Sequence, residues 1–544
     1  MTRTVPGRTG HVVVVGAGFA GLACALHLLG AGRQVTVLER GEHPGGRAGR
    51  LDLQTERGTY LVDTGPTVLT MPDLLDETFA AVGERSSDRL DLVALDPAYR
   101  THFADGTTID VHADAAAMEA EVAAVCGGRA ASGYRDVRRW LTALYRAEID
   151  TFIGANMDSP LGLLGPDLAR LAALGGFGRL GPRIARLLPD ERLQRIFSFQ
   201  ALYAGVPPQR ALGAYGVIAY MDTIAGVFFP RGGMRAVGQA LADAAVAAGA
   251  QIHYGRTVTG LARDGGRVTA VRHRASDDAA DRSDPLGCDA VVLTPDLPIV
   301  HRLLGRAPRR PVALRWSPSA VVLHAGLRTA RPAAAHHTIS FGAAWEQTFR
   351  EIVDDGRLMS DPSLLITRPT ATDPGLAPPG SDLLFVLAPC PNLQAGRLDW
   401  ARVGPAYRDE LLAVLESRQH PGLTGIAGDI EVSRLVTPAD WAAQGMGAGS
   451  PFAPAHTLAQ TGPFRPRNLV RGLTNAVLAG CGTTPGVGIP PVLISGRLAA
   501  QRIIGGDGTG AGGRRRSTSK RASAPRNGAA RPSGWPGGRV PTAG

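Results

Sequence analysis

Short apolar runs separated by glycines dominate the first forty residues. Residues 11–15 read His-Val-Val-Val-Val, which has the uniform hydrophobicity of a buried strand, and glycines follow at positions 16, 18 and 21. The apolar stretch after them has the length of a helix, and a second apolar strand is predicted over 35–38. The pattern therefore predicts a βαβ unit at the start of the chain.

The glycines of this unit have the spacing of a dinucleotide-binding turn. Gly16 permits the tight turn, Gly18 lets the backbone approach a pyrophosphate, and Gly21 lets the helix pack closely on the strand. Glu39 follows the second strand, where a carboxylate accepts hydrogen bonds from an adenosine ribose, and Arg40 comes next. Because strand, glycines, helix and acid are in register, we expect a dinucleotide site here.

A second glycine pair, Gly45 and Gly46, is followed by Arg47 just beyond the acidic strand. These residues bring further backbone N–H groups and a guanidinium to the phosphates. The arrangement resembles FAD-dependent oxidases and desaturases of the amine-oxidase-like superfamily, and it favours FAD over NAD.

Two further glycine-containing segments are predicted to reach the cofactor. A strand, a turn and a helix start are predicted around residues 59–72, and a strand followed by a glycine-rich turn and a helix is predicted around 475–497. The N-terminus of the last helix can present N–H groups to a flavin. With Val258 of an intervening segment, the candidate residues are Gly65, Pro66, Thr67, Val258, Gly480, Gly482, Gly488 and Ile489.

Composition and charge narrow the class of protein. The chain has 544 residues, of which 44% are hydrophobic and 19% charged, as in a globular protein of several domains. No apolar run is long enough to predict a transmembrane span. Residues 505–544 hold eight Lys or Arg and one acid, so this segment carries seven of the ten net positive charges. Its Gly-, Pro- and Ser-rich composition predicts a disordered tail, and we expect no nucleic acid partner.

Motifs along nearly the whole chain resemble the carotenoid desaturases, in particular phytoene desaturases of the bacterial and fungal type. Only the first few residues and those after about 504 fall outside the resemblance. The motifs lie at 65–70, 195–205, 226–233, 336–342, 361–364, 372–380, 460–466 and 482–490.

The resemblance implies FAD-dependent conversion of phytoene toward lycopene or neurosporene by repeated dehydrogenation. One hydrogen would leave as hydride to the flavin and the other as a proton to a base or solvent. A lipophilic carotenoid has almost no polar handles, so we expect a dry apolar tunnel. The sequence has no cluster-binding cysteine pattern and no second nucleotide motif, so the expected electron acceptor is a quinone or oxygen.

The resemblance also implies a catalytic acid/base pair at Asp167 and Arg170. Their i, i+3 spacing places both on one helix face, which fits an ordinary surface ion pair equally well. The chain departs from the family pattern at Thr484, where many relatives have histidine.

The segment from Leu161 to Leu188 mixes Leu and Ile with four arginines, at positions 170, 179, 183 and 186. This pattern suits a segment that lies on an anionic membrane, and it also suits an amphipathic helix pair packed on the core. Because phytoene partitions into lipid, we expect a peripheral, monotopic enzyme on the cytoplasmic side of the cell membrane. Whether the protein forms a homo-oligomer stays an open question at this point.

Together these patterns predict an α/β fold: a Rossmann-like FAD-binding domain with an inserted substrate domain of mixed sheet and helices, and a membrane-facing helical region. The FAD-binding domain is expected to comprise three separate segments, over 1–113, 226–300 and 431–504. A helical membrane and substrate insert is expected over 114–225, the substrate domain over 301–430, and the basic tail over 505–544.

Other interpretations remain open at this point. One is a different carotenoid-modifying FAD enzyme: a diapophytoene desaturase, a 3,4-desaturase or a ketolase. Another is a non-enzymatic escort for prenylated proteins on the same fold, which the intact cofactor segments disfavour. We reject a metal site at His336, His337 and Asp361, because adjacent side chains of a strand point apart and no third ligand has a familiar spacing. Phe341 and Trp345 are expected in the tunnel or the core, and Arg465 contacts either the flavin or the protein.

Overall fold

The computed structural model describes residues 3–159, 163–277, 283–308, 310 and 312–505. The predicted disordered tail lies outside the described residues, apart from Gly505.

The strands, in chain order, are β1 (His11–Val15), β2 (Gln34–Leu38), β3 (Arg50–Thr55), β4 (Gly58–Asp63), β5 (Leu92–Ala94), β6 (Tyr99–His102), β7 (Thr108–Val111), β8 (Phe228–Pro230), β9 (Gln251–His253), β10 (Arg256–Asp264), β11 (Arg267–Ala275), β12 (Asp284–Gly287), β13 (Ala290–Leu293), β14 (Ser319–Leu327), β15 (His337–Ser340), β16 (Leu364–Thr367), β17 (Asp382–Cys390), β18 (Ile430–Val436) and β19 (Ala476–Leu478).

The α-helices, in chain order, are α1 (Phe19–Gly30), α2 (Asp73–Ala80), α3 (Ala115–Cys126), α4 (Gly128–Glu148), α5 (Pro166–Ala173), α6 (Leu180–Leu187), α7 (Glu191–Ile196), α8 (Gly216–Thr223), α9 (Arg235–Ala247), α10 (Leu297–Leu303), α11 (Glu346–Arg350), α12 (Trp400–Ser417), α13 (Ile426–Asp429), α14 (Pro438–Ala443) and α15 (Ile489–Ile504). A π-helical turn, Ile149–Ile153, directly follows α4.

A five-stranded parallel sheet carries the predicted βαβ unit, in the order β19-β13-β1-β2-β9. Strand β1 pairs with β2 and β13, and Val12–Val15 are buried, which explains their uniformly apolar sequence. Helices α1, α9 and α15 contribute to the core that contains Val12 and Val14. A Cβ on Gly496 of α15 would lie 2.5 Å from the carbonyl oxygen of Ala20, so α15 packs backbone to backbone on α1. The predicted unit is confirmed.

A second, seven-stranded mixed sheet has the order β18-β14-β17-β16-β15-β6-β7. The strands that form this sheet differ in two places from those expected from the predicted domain boundaries. Strands β6 and β7 belong to it because β6 pairs in parallel with β15, and β18 belongs to it because it pairs antiparallel with β14. Portions of segments 1–113 and 431–504 therefore belong to the substrate sheet. Smaller sheets are formed by β10–β12, by β3 with β4 and by β5 with β8.

The stretch from α3 to α8 is mainly helical, as predicted, and it has its own core. Leu171, Leu180, Ile184 and Leu188 are buried in that core, so the inner faces of α5 and α6 fit the core-packed interpretation. No helix of the described ranges is long and apolar enough to cross a membrane.

Candidate functional site

One continuous cavity of about 1590 Å³ extends from the carboxyl ends of the parallel strands into the helical insert. Single small-molecule sites have volumes of roughly 300–1,000 Å³, so this cavity has room for two ligands end to end. Of the sixteen predicted cofactor residues, all except Gly21 and Gly482 line it.

The two glycine turns of the N-terminal region pack directly on each other at one end of the cavity. Gly18 forms a parallel bridge with Gly45, and a Cβ on Gly46 would lie 3.0 Å from the Cα of Gly18. A Cβ on Gly21 would overlap the carbonyl oxygen of Gly16, which explains the role of Gly21 although it is not on the cavity wall. Only residues without a side chain permit this arrangement, and it keeps backbone N–H groups at the N-terminus of α1 accessible to a phosphate.

Glu39 connects the first turn with the residues after β2. Its Oε2 accepts the Ala17 N–H at 2.7 Å and its Oε1 accepts the Gly41 N–H at 2.8 Å, while the side chain lines the cavity. A carboxylate has further lone pairs, so contact with a ribose is compatible with both bonds. Arg40 also lines the cavity and donates to the Gln444 carbonyl at 2.8 Å.

Arg47 joins three loops around the cofactor end. Its guanidinium pairs with Asp296 at 2.5 Å and donates to the Sγ of Cys481. The Nε of Arg47 is buried and has no partner among the described residues, and the Arg47 side chain lines the cavity. Asp296 was not among the predicted site residues. It lies just beyond β13, and its position at the carboxyl end of a parallel strand is the feature by which the sequence could have indicated it.

The segments around Gly65 and Val258 complete the wall at the cofactor end of the cavity. A Cβ on Gly65 would overlap the carbonyl oxygen of Arg47, so these two backbones are in direct contact. Thr67 is buried and its hydroxyl accepts a hydrogen bond from Thr367 at 3.0 Å. Pro66 and Val258 line the cavity beside them.

The glycine-rich loop between β19 and α15 forms another wall. The Gly480 N–H donates to the Ser495 hydroxyl at 3.0 Å, and Gly488 caps α15 immediately before Ile489. Gly482 lies off the cavity, because it packs on Leu297.

Arg465 is a structural contact of this loop. The buried guanidinium donates to the carbonyls of Thr483 at 2.8 Å and Cys481 at 2.6 Å, and to that of Pro454 at 3.2 Å. Burial lowers the pKa of Arg465 to about 10, so the side chain stays charged at neutral pH. It fixes the backbone of the loop and is not on the cavity wall.

The other arm of the cavity is apolar and opens at an apolar rim. We define the rim as Leu164, Phe177, Leu458 and Phe464, which are between 53% and 68% exposed. Three of the four line the cavity, and Leu164 follows Leu163, which also lines it. The wall behind the rim includes Phe152, Ile153, Met157, Leu168, Leu171, Val217, Ile218, Met221 and Phe452.

Several buried polar groups of the wall were not predicted from the sequence. Glu148 is buried without a hydrogen-bond partner for its Oε1, and desolvation raises its pKa well above the usual range, which favours the neutral form. Burial raises the pKa of Asp222 to about 7, and its carboxylate accepts the Tyr99 hydroxyl at 3.1 Å. His456 and Tyr215 are hydrogen-bonded at 3.1 Å.

The structure does not bring Asp167 and Arg170 to the cavity wall. Asp167 accepts the Thr151 hydroxyl at 2.5 Å, and Arg170 is exposed on α5. The two side chains form no ion pair with each other in the described stretches of the chain. Their catalytic role stays a prediction, without geometric support.

The expectation that His336 and His337 point apart is wrong. Their ring centroids lie 4.5 Å apart, because β15 begins at His337 and the alternation of a strand does not include His336. Nδ1 of His336 bonds Thr372 and Nδ1 of His337 bonds Thr367. Among the described residues, no three His, Cys, Asp or Glu side chains are placed to hold a metal ion. Phe341 is buried in the core, and the ring of Trp345 packs beside it.

Known proteins are similar to this chain in sequence or in fold. The chain matches the model of the family described as flavin containing amine oxidoreductase over residues 19–504. It is 65% identical over 504 residues to a phytoene dehydrogenase of Streptomyces griseus, with 92% of this chain and 96% of the relative covered. It is 36% identical to a zeta-carotene-forming phytoene desaturase of Myxococcus xanthus, with 93% and 95% covered. A cyclohexylamine oxidase from Brevibacterium oxydans IH-35A shares the fold, with a TM-score of 0.56 and 16% identity over 92% of this chain and 99% of the other.

The fold and the glycine-lined site thus define an FAD-dependent oxidoreductase, and the chain belongs to the flavin-containing amine oxidoreductase family. Within that family it is a carotenoid desaturase of the phytoene desaturase type. The predicted α/β fold and FAD cofactor are confirmed. The residues described above fit this cofactor: glycine turns where a Cβ would overlap backbone, an acid after β2, and the Arg47 side chain on the cavity wall.

Proposed function

We propose that this protein dehydrogenates phytoene stepwise toward lycopene or neurosporene. The observation that carries the proposal is the continuous cavity, which joins the glycine turns to an apolar arm that opens at the rim. A long hydrocarbon offers dispersion contacts and almost no hydrogen bonds, so an apolar arm of this kind suits it.

Bound FAD supplies the hydride acceptor for such a reaction. The protein holds the successive carbon–carbon bonds of the substrate in register with the cofactor end and excludes water. Phe152, Met157 and Met221 line the arm, and methionine side chains adapt to a substrate that shifts by one isoprenoid unit between steps. Reoxidation of the bound cofactor would require an electron acceptor, for which we propose a quinone or oxygen.

Expression in a bacterium that accumulates phytoene tests this proposal. Pigments are extracted and separated after expression of the wild type and of Gly46→Ala, whose Cβ would press on Gly18 and displace the cofactor. We expect lycopene or neurosporene with the wild type and phytoene alone with the variant. Wild-type cells that contain flavin-loaded protein and unchanged phytoene would contradict the proposal and direct attention to another carotenoid.

We also propose that the enzyme docks on the cytoplasmic side of the cell membrane through the rim. Exposed apolar side chains around a cavity mouth are typical of a membrane or ligand contact, and a lipid-soluble substrate would enter there directly. Exposed Arg170 and Arg186 lie in the same region of the chain, where they can contact anionic headgroups. Arg183 is placed differently, over the ring of Trp140 at 5.6 Å.

A further inference from the structure

The face of α8 that lines the apolar arm carries one carboxyl group, that of Asp222. Val217 and Met221 are one helical turn apart, Asp222 follows directly, and all three line the cavity. Val217 and Met221 also belong to a buried cluster with Met71, which lies shortly after the cofactor segment at residues 65–67. A carboxyl group therefore lies among apolar side chains, on a helix that packs against the continuation of a cofactor segment.

The protein engages only one of the two carboxyl oxygens of Asp222. Oδ2 accepts the hydroxyl of Tyr99 at 3.1 Å. Oδ1 accepts no hydrogen bond from the described residues, and it is not among the unpartnered polar atoms that the protein encloses completely. Since Asp222 is a residue of the cavity wall, the accessible area of Oδ1 faces the cavity.

A row of contacts connects Asp222 with the cofactor end of the cavity. The ring of Tyr99, which donates to Asp222, lies 5.6 Å from the ring of His337. Nδ1 of His337 lies 2.9 Å from the hydroxyl of Thr367, and Thr367 donates to the hydroxyl of Thr67 at 3.0 Å. Thr67 lines the cavity beside Gly65. The partner that holds the carboxyl group is thus itself packed against the residues that support the cofactor wall.

The surroundings of Asp222 suit a group that binds and releases a proton. Burial raises its pKa to about 7, and the hydrogen bond from Tyr99 acts in the opposite direction because it favours the ionised form. The ionisable side chains that face it are Tyr99 on β6 and Tyr203, which lines the cavity. Burial raises the pKa of both phenols well above the usual range, so both are neutral near pH 7. A base that works repeatedly functions best when its pKa is close to the ambient pH.

We propose that Oδ1 of Asp222 accepts the proton that leaves the substrate in each dehydrogenation, with Tyr99 as a positioning residue that holds the carboxyl group. The inference rests on the proposed function. In each step one hydrogen leaves carbon with its electron pair, as hydride to the oxidised flavin of the family. The adjacent C–H bond breaks, its electron pair forms the C=C bond, and its proton goes to Oδ1 and then to solvent before the next step. The carboxylate also stabilises the positive charge that develops on the hydrocarbon as the hydride leaves.

Other polar groups of the wall are less suited to this role. Nε2 of His456 is enclosed by the protein, and its Nδ1 faces the hydroxyl of Tyr215. Burial raises the pKa of Glu148 well above the usual range, which favours a neutral form that cannot accept a proton. Asp167, which the family resemblance implies, does not line the cavity.

The protonation of Asp222 is measured first, on the resting holoenzyme. Infrared difference spectra across a pH titration detect the carbonyl stretch of a protonated carboxyl group, and Asp222→Asn identifies the band. We expect this band to disappear as the pH rises through about 7, and to persist to higher pH in Tyr99→Phe, which lacks the hydrogen bond to the ionised form. A wild-type band that is undiminished at about pH 9 overturns the proposal, whatever the substrate is, because a protonated carboxyl group is not a base.

The second measurement is the rate at which phytoene reduces the flavin in a single turnover. Asp222→Asn is nearly isosteric and keeps an oxygen for Tyr99, but it cannot take up a proton. General base catalysis contributes roughly 10²- to 10⁴-fold, so this variant should reduce its flavin at least about a hundredfold more slowly, with flavin content and phytoene binding unchanged.

The pH dependence of that rate separates a base from a structural residue. In the wild type the rate should fall as the pH decreases through about 7, because Asp222 becomes protonated, and this fall should occur at higher pH in Tyr99→Phe. Undiminished flavin reduction in Asp222→Asn, or a pH profile that Tyr99→Phe does not shift, overturns the assignment.

Thr223→Ala is the matched control. Thr223 is the next residue of α8, is buried and donates to the Ala219 carbonyl at 2.6 Å, but it does not line the cavity. Its rate and pH profile should equal those of the wild type, and a loss as large as that of Asp222→Asn would overturn the assignment in favour of a general disturbance of α8. Wild-type turnover of phytoene in the same assay decides the proposed function, so the two failures are distinguishable.

Discussion

Arg47 and Asp296 form an ion pair, with Nη2 and Oδ2 2.5 Å apart, that joins the second glycine turn to the N-terminus of α10. The Asp296 side chain is only 5% exposed. Loss of Asp296 would free the guanidinium of Arg47, whose side chain is 30% exposed, from the N-terminus of α10. An Arg47 side chain that is no longer held in place is expected to contribute less to cofactor binding.

Asp296→Asn is therefore expected to weaken FAD binding at least tenfold, as measured by flavin release during dialysis or by fluorescence titration of the apoprotein. Asp355→Asn is the control, since its pair with Arg357 is exposed and screened by solvent, so its loss should change little. Equal FAD affinity in the two variants would show that the Arg47 pair does not position the cofactor end.

Gly21→Ala tests the packing of α1 on the first turn. The added Cβ would overlap the Gly16 carbonyl, so we expect loss of bound flavin and a fall in the thermal midpoint. Gly128→Ala, in the first turn of α4, meets no atom within 4 Å and should be neutral or stabilising by up to about 1 kcal/mol. Full flavin content in Gly21→Ala would contradict the close approach.

The cofactor end could be predicted from the sequence because its signals are local. The glycine spacing predicts the β1–α1–β2 unit and the turn at Gly45. The acid at position 39 is predicted because it stands directly after the second strand of that unit. The domain boundaries were less accurate, because the parallel pairing of β6 with β15 joins residues more than 200 positions apart without a sequence pattern of its own.

The polar groups of the cavity wall could not be predicted from the sequence for the same reason: their contacts join distant parts of the chain. His456 and Tyr215 are 241 positions apart, and neither belongs to a recognisable motif. Their hydrogen bond depends on how the helical insert packs on the segment before β19. The expectation that His336 and His337 point apart was wrong for a different reason. Adjacent side chains alternate only within a strand, and β15 begins at His337, so His336 lies outside it.

The buried histidines predict how stability depends on pH. Burial lowers the pKa of His324 to about 4, of His337 to about 3 and of His420 to about 4. Below pH 6.5 the unfolded chain binds protons at these rings and the folded chain does not, so the free energy of unfolding falls as the pH decreases from 7 to 4. Asp63 and Asp222, with pKa values raised to about 6 and 7, partly oppose this trend because their folded forms bind protons first.

Thermal midpoints measured between pH 7.5 and 4.5 check this expectation. His337→Gln removes one titrating ring and keeps a polar atom near Thr367, so its midpoint should fall less steeply with decreasing pH than that of the wild type. Parallel curves for the two proteins would show that His337 does not contribute.

The exposed apolar side chains of the rim lead us to expect membrane binding, although no helix among the described residues is long and apolar enough to cross a membrane. Phe177, Leu458 and Phe464 are each more than half exposed, and full transfer of such a side chain out of water contributes about 1.5–3 kcal/mol. The triple variant Phe177→Ser, Leu458→Ser, Phe464→Ser should therefore bind anionic vesicles at least a hundredfold more weakly in a sedimentation assay. Val246→Ser is the matched control, because Val246 is 54% exposed on α9 and does not line the cavity. Unchanged vesicle binding of the triple variant, with folding and flavin content intact, would show that the rim is not the membrane contact.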